Sequence, residues 1–392
     1  MYLVADQRYE ADEQGLGRAL AAAHDERIRP LCLCSKPPIP VYITRLGGTF
    51  VLKRMPFTGS QHAVSCSHYE SPAELSGLGE FLGTAISEDP NTGVTQLRAG
   101  FALSKGMPRT VESSGGQESG GIRSDGTRLS LRGLLHFLWH EAELTRWQPG
   151  FAGRRTWGVV RSHLLSAARH MTVRGTSLKD VLYVPEAFSV ENRDEIAARR
   201  MRRFANGLAR NSNARSLMLL IGEVKEILPT RFHFKAVIKH VPDQAFLLNG
   251  QLHRRMMKHF ERELSLWGGS DAIHIVLIAT FAMNAARLPM IEELSLMAVT
   301  SQFLPVDDVF EAQLIERLVT DGRAFDKCLR FNETFTRCSK SAVLLDATTS
   351  PLSLTIDRTV DDAGESFGAN RGDDLGEWRW RTDQTGLPTL PV

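Results

Sequence analysis

Three of the five cysteines fall within one short stretch of the chain. Cys32 and Cys34 form a C-x-C pair, and Cys66 follows with His62 four residues before it and His68 two after it. Thiolates and imidazoles are the donors a divalent zinc ion prefers, commonly as three Cys and one His in a tetrahedral cage. In an extended strand, residues two apart point to the same side, so both sulfurs of a C-x-C pair can face one ion. The spacing leaves the imidazole open. H-x-x-x-C suits a helix or turn and would use His62, whereas C-x-H suits a strand and would use His68. Four protein ligands close the coordination sphere, which is the pattern of a structural ion rather than a catalytic one. Such an ion would supply much of the folding energy of a small β module. Cys328 and Cys338 stand ten residues apart with no histidine beside them, and read as structural thiols.

Other residues have spacings that merit weighing. His136 and His140 are four apart and Glu141 follows. A zincin needs its glutamate after the first histidine, and a helical wheel puts both imidazoles opposite the leucine stripe of that segment, so they are expected to face solvent. Glu223-Val-Lys225 ends the apolar run LMLLIG. A strand ending in Glu-x-Lys resembles half of a PD-(D/E)xK nuclease core, in which carboxylates hold Mg²⁺ and a lysine helps activate water. The second carboxylate would come from Asp180 or Glu186, which flank VLYVP. A further echo of that fold runs from residue 310 to 357, read as a helix and three strands. There Ser341-Ala342 stand where an active core has Pro-Asp, and LSLTID lacks Glu-x-Lys. No phosphate loop, dinucleotide fingerprint or nucleophile elbow occurs.

The elements that must position these groups can be read from periodicity. An Ala-rich helix covers 12–28 and ends at Pro30. VYITRL and TFVLKRM alternate as strands joined at Gly47-Gly48, a hairpin that would carry the chain back and bring Cys66 toward the C-x-C pair. Residues 72–87 predict a short helix and 93–107 one or two strands. SSGGQESGGIRSDG has no periodic apolar face and reads as a linker. Leu131, Leu134, Leu135, Leu138 and Ala142 make one helical stripe, and Trp157, Val160, Leu164 and Met171 another. VLYVP is a strand and 191–210 a basic helix. LMLLIGEVKEIL, FHFKAVIKHV, IHIVLIATFAM and LSLMAVTSQFL are strand-like, with LHRRMMKHFERELSLW a helix among them. The expected organisation is α+β and multi-domain: a zinc-stabilised β-hairpin module over 1–112, a Gly/Ser linker over 113–127, an Arg-rich helical segment over 128–215, a mixed α/β sheet domain over 216–345, and a loose acidic tail over 346–392.

Charge divides the chain unevenly. Residues 121–220 hold 17 Lys and Arg against 8 Asp and Glu, although the whole chain has a net charge of only +2. A basic block attracts phosphate backbones through counterion release. The helix–loop–helix–strand order over 129–185 is similar to a winged helix, with Arg154 and Arg155 before its second helix and Arg161 and Arg169 within it. The loop, with Pro149 and Gly150, is longer than a tight helix-turn-helix allows. Arg199, Arg200, Arg202 and Arg203 add positive charge but few interleaved aromatics. No apolar run reaches membrane-span length, and the first residues lack a secretory pattern. The expected compartment is the cytoplasm, where clustered cysteines serve as metal ligands rather than disulfides.

Several strings together resemble one family: CLC at 32–34, VLKRMPFTGSQH before Cys66, YESPAELSGLG at 69–79, LLIGEVKE at 219–226 and QLIERLVTDGRAFDKCLRF at 313–331. They are similar to the bacterial domain-of-unknown-function family 1173 (DUF1173) over residues 28–335. That likeness implies a bacterial protein that travels with plasmids and integrating elements, has no assigned activity, and uses the His62 position. C-x-C with C-x-H is similar instead to a SWIM-type zinc finger, which would use His68. The expected function is that of a non-enzymatic, zinc-binding, nucleic-acid-associated accessory protein of mobile elements. The alternatives are a Mg²⁺-dependent nuclease using Glu223 and Lys225, and a scaffold whose basic face binds an acidic protein.

Overall fold

The computed structural model describes residues 1–46, 49–55, 58–89, 92–106, 126–208, 214–331, 338–348, 350–358, 376–383 and 386–391. The centre of the molecule is a ring of strands, antiparallel except at its closure. Met218–Pro229 pairs with Ile273–Met283 on one side, and over its second half with Phe234–Ile238. Phe234–Ile238 pairs with Val241–Leu248, and Ile273–Met283 pairs with Pro289–Thr300 along their whole length. The ring closes at one residue pair, Leu247 with Met290. Leu182–Tyr183 adds a short parallel edge beside Leu219 and Leu220.

These strands read as continuous apolar runs because both faces are covered. Alternate residues serve two separate cores. Leu219, Ile221, Val276, Ile278, Met297 and Val299 join one that also contains the leucines of helix Leu131–Glu141 and the buried face of helix Trp157–Ala168. Leu220, Val224, Ile275, Leu277, Ala279 and Leu296 join the other, with Leu314, Ile315 and Leu318 of helix Val309–Thr320. The segments 128–215 and 216–345 therefore share a core.

The N-terminal module is smaller. Tyr2–Val4, Gln7–Tyr9, Leu31–Cys32, Ile39–Leu46 and Thr49–Arg54 form one antiparallel sheet. Ile39–Leu46 and Thr49–Arg54 are the expected hairpin; its Gly47-Gly48 turn lies outside the described residues. Helix Leu16–Asp25 packs Leu16, Leu20 and Ala23 on this sheet, the i, i+4, i+7 stripe of an amphipathic helix. Ser71 Oγ donates to Asp326 Oδ2 at 2.8 Å and Phe331 N to the Ser76 carbonyl at 3.0 Å, tying the module to the body.

Four readings need correction. Residues 72–87 form two short 3-10 turns, Ala73–Leu75 and Leu78–Glu80, because Gly77 between them has a φ of 75° that no helix continues through. FHFKAVIKHV is not one strand but the start of a hairpin, and LHRRMMKHFERELSLW is two helices, Gly250–His259 and Glu261–Gly269, broken at Phe260. The stretch expected to be a loose tail contains two strands, Leu352–Asp357 and Gly376–Arg381, paired in parallel. Leu354, Ile356 and Trp380 bury their side chains in the second core. Residues 113–125 of the expected linker and 359–375 of the tail lie outside the described residues.

Candidate metal centre

Cys32 ends the strand Leu31–Cys32, and Cys34 follows two residues on. His62 closes the 3-10 turn Gly59–Gln61, and Cys66 lies four residues further. The four side chains converge, each ligand atom lying within 4.8 Å of the others. Cys32 Sγ lies 3.6 Å from Cys66 Sγ; His62 Nδ1 lies 3.3 Å from Cys34 Sγ and 3.8 Å from Cys66 Sγ. A disulfide would require about 2.05 Å between sulfurs. Donors about 2.1–2.3 Å from a shared ion stand about 3.6–3.8 Å apart in a tetrahedron; the separations of 3.6 and 3.8 Å match that figure, and the 3.3 Å between His62 and Cys34 is shorter. The donor set therefore fits a metal ion.

The surroundings favour a bound cation. Burial pushes the Cys32 thiol up to about 12 and raises the Cys66 thiol, so both need a positive charge beside them to ionise. Burial and the nearby Arg54 lower His62, which favours the neutral imidazole that a metal requires. Backbone N–H groups aim at the sulfurs, from Ala63 to Cys34 and from His68 to Cys66, each at 3.4 Å. His68 itself stands outside the set. Its Nε2 lies 3.1 Å from the Tyr2 hydroxyl, and its ring sits 5.4 Å from that of His62. The C-x-H spacing thus places a packing histidine, and the fourth member of the cluster is His62.

A second polar cluster joins the module to the body. Glu70, His140 and Glu141 bring ligand atoms within 4.8 Å of one another, but Arg54 stands among them. Arg54 pairs with Glu70 and lies 3.6 Å from Glu141, and His140 Nε2 is 3.3 Å from Glu70. Burial disfavours charge on both partners, yet Arg54 and His140 hold Glu70 at about 2, and Glu70 raises His140 to about 9. This is a salt-bridge network with its cation built in. The expectation that His136 and His140 face solvent is therefore wrong. His136 is buried edge-on to Phe331, and burial followed by Arg132 lowers it to about 3. The leucine stripe marked only one of two covered helix faces.

The arginines of the basic segment divide by role. Arg155 is buried, with its guanidinium 5.3 Å from the centroids of Trp147 and Phe151 and bonded to the carbonyls of Leu144 and Arg146. Arg161 donates to the Val184 carbonyl, Arg200 pairs with Asp243 from a buried position, and Arg203 donates to the carbonyls of Lys179 and Leu182. Arg199 is exposed but held by Glu186 at 2.8 Å. Arg154, Arg169 and Arg202 are exposed. The helix expected to read nucleic acid thus spends Arg161 on its own fold, and its exposed face shows Gly158, Val159, Ser162 and His163. Strand Leu182–Tyr183 joins the central sheet instead of forming a wing.

Glu223 and Lys225 do not assemble a magnesium site. A register shift between Val224 and Glu226 breaks the alternation of the strand. Glu223 is buried, with Lys239 Nζ at 2.7 Å and His274 Nδ1 at 3.1 Å from one oxygen, whereas Lys225 is exposed. Its neighbours are nitrogen groups of Lys239 and His274 rather than a second carboxylate. Glu186 is engaged by Arg199, and Asp180 is exposed. A cavity of about 820 Å³ lies between helices Glu261–Gly269 and Val309–Thr320, lined by Leu266, Ile273 and Ile315 with Asp307 and Asp308 at its edge. None of the metal-centre residues lines it.

Sequence reasoning missed the Arg54–Glu70–His140 network, because its members are far apart in the chain and only the docked module joins them. Residues 2–383 match the family model described as Protein of unknown function (DUF1173). No curated protein and no solved structure matches the chain.

Proposed function

The chain belongs to the DUF1173 family, and on that premise we propose that it is a non-enzymatic accessory protein whose N-terminal module is built around a structural zinc ion. The observation that carries this reading is the closed set of Cys32, Cys34, His62 and Cys66. Three thiolates and an imidazole select zinc over hard cations such as Mg²⁺ or Ca²⁺. With four protein donors no position is left for water or substrate, so the ion would stabilise rather than catalyse. A reducing compartment such as the cytoplasm would keep these thiols available.

We further propose that the protein associates with nucleic acid, in keeping with the mobile-element setting that the family likeness implies. The support is the excess of basic residues over 121–220 and the exposure of Arg154, Arg169 and Arg202. Elemental analysis of the purified protein tests the first part: one zinc per chain is expected, and loss of that zinc in Cys34→Ser. A metal-free wild-type protein with intact thiols would overturn it. Retention of a mixed-sequence oligonucleotide at low salt tests the second part. Retention should fall steeply with added salt, and its absence at 50 mM salt rejects the nucleic-acid reading.

A further inference from the structure

Helix Gly250–His259 has an unusual division of its faces. Leu252, Met256 and then Phe260 are buried at every fourth position. On the opposite side Gln251, Arg254, Arg255 and Lys258 are exposed with the i, i+3, i+4, i+7 spacing of one helical stripe. The helix contains no acidic residue. No carboxylate among the described residues pairs with Arg254, Arg255 or Lys258, in contrast to Arg199 and Arg200. These three cations are not spent on holding the fold.

Beside the start of this helix lies the turn of a hairpin. Phe234 pairs with Leu248, one residue before the N-cap Asn249, and stacks on His253 with ring centroids 3.5 Å apart and planes 2° from parallel. The turn before Phe234 is closed by Thr230 and His233, which exchange hydrogen bonds at 2.7–3.0 Å. At its tip Phe232 is 77 % exposed, the most exposed large apolar side chain among the described residues. The Arg231 guanidinium lies 5.0 Å from its centroid. A phenyl ring so exposed, on a turn pinned by hydrogen bonds and with Arg231 over one face, has its other apolar face to offer.

We propose that this surface binds single-stranded nucleic acid, with Arg254, Arg255 and Lys258 contacting phosphates and Phe232 stacking on an unpaired base. Charge complementarity selects a polyanion. One exposed aromatic on a pinned turn, joined to the basic helix through the Phe234–His253 stack, fits the stacking platform of a single strand, since every base presents a π-face. An anionic membrane would call for several apolar side chains to insert together, and here, among the described residues of the turn and helix, the exposed large apolar side chains are only Phe232 at the tip and Met257 on the helix. The inference rests on the nucleic-acid reading above and moves its main contact from the Arg-rich segment to this helix.

The test is fluorescence anisotropy of the full-length, metal-loaded protein with a labelled mixed-sequence single strand, its duplex, and vesicles of phosphatidylserine and phosphatidylcholine. The R254E/R255E/K258E variant is expected to lose at least tenfold in single-strand affinity, with the salt slope falling by about 2 from three lost phosphate contacts. F232A is expected to lose about fivefold or more on the single strand and to leave the duplex unchanged. The charge-matched R154E/R169E/R202E variant should lose less than threefold. Unchanged zinc content and melting temperature exclude misfolding, and the R254K/R255K variant should retain binding. If the stripe variant binds like wild type while the charge-matched one fails, this inference falls and the nucleic-acid reading stands. If wild type binds no oligonucleotide, or binds vesicles alone, both fall.

Discussion

The N-terminal module and the body of the protein are held together by different physics. The module's core has eight buried residues among those described, from Tyr2 to Ile43, one of them the ligand Cys32. The two cores of the body hold 35 and 34. At roughly 25 cal/mol per Å² of apolar surface, burial on the smaller scale leaves little margin over chain entropy. The module places four side chains that could hold a metal ion where a larger domain would place leucines. The body can bury whole ion pairs, such as Lys327 with Glu311 at 3.0 Å, within an otherwise apolar interior. On the proposed reading the small fold would depend on coordination, whereas the large one tolerates charge.

The comparison breaks most visibly on metal removal. Chelation, or Cys34→Ser, should open residues 1–70 to protease while leaving the body's melting transition in place; zinc binding is worth on the order of 10 kcal/mol in small zinc modules. Loss of both regions together would show that the module is not a separate unit of stability. The next largest effect belongs to the body. Lys327→Met leaves Glu311 short of a partner and should cost about 3–5 kcal/mol in urea unfolding, with Glu311→Gln in the same chain restoring much of it. Arg330, 3.5 Å from Glu311, limits the loss.

The joint between the two regions should respond to pH. His140 is held at about 9 against an ordinary 6.5, so its contribution is complete below pH 6.5 and is lost as pH rises through 9. Glu70 is held at about 2 against 4.5, so its contribution is complete above pH 4.5 and is lost as pH falls toward 2. Docking is thus strongest between pH 4.5 and 6.5. His140→Gln should flatten stability between pH 6.5 and 9, by on the order of 2 kcal/mol, measured as urea midpoint against pH. A slope unchanged by the variant would place the pH response elsewhere. The smallest effect is expected at Lys225→Ala. An exposed lysine at the register shift within Met218–Pro229 should change stability by less than about 0.5 kcal/mol.

The metal set was legible because its ligands are close in sequence and cysteine is rare in this chain. Spacing alone left His62 and His68 open, since both distances suit some backbone geometry; only the 3-10 turn before His62 and the bond from Tyr2 to His68 decide between them. The apolar strands were also legible, because burial on both faces leaves uninterrupted runs. What a linear pattern could not show is which polar side chains the fold consumes. Arg155, Arg161, Arg200 and Arg203 look like a cationic surface until the carbonyls and carboxylates around them are in place. Residues 72–87 failed as a helix for a local reason, the left-handed Gly77. The tail failed for a distant one: Leu352–Asp357 is a strand because Cys338–Leu344 is there to pair with it.

Met218–Val224 sends alternate side chains into opposite interiors from one length of backbone. Those two interiors are mechanically one object, since neither can loosen without moving the partition between them. A fragment cut at residue 215 or 216 would present Leu219, Ile221, Val276 and Ile278 bare to water. Anyone dissecting this protein should expect the body to be gained or lost whole.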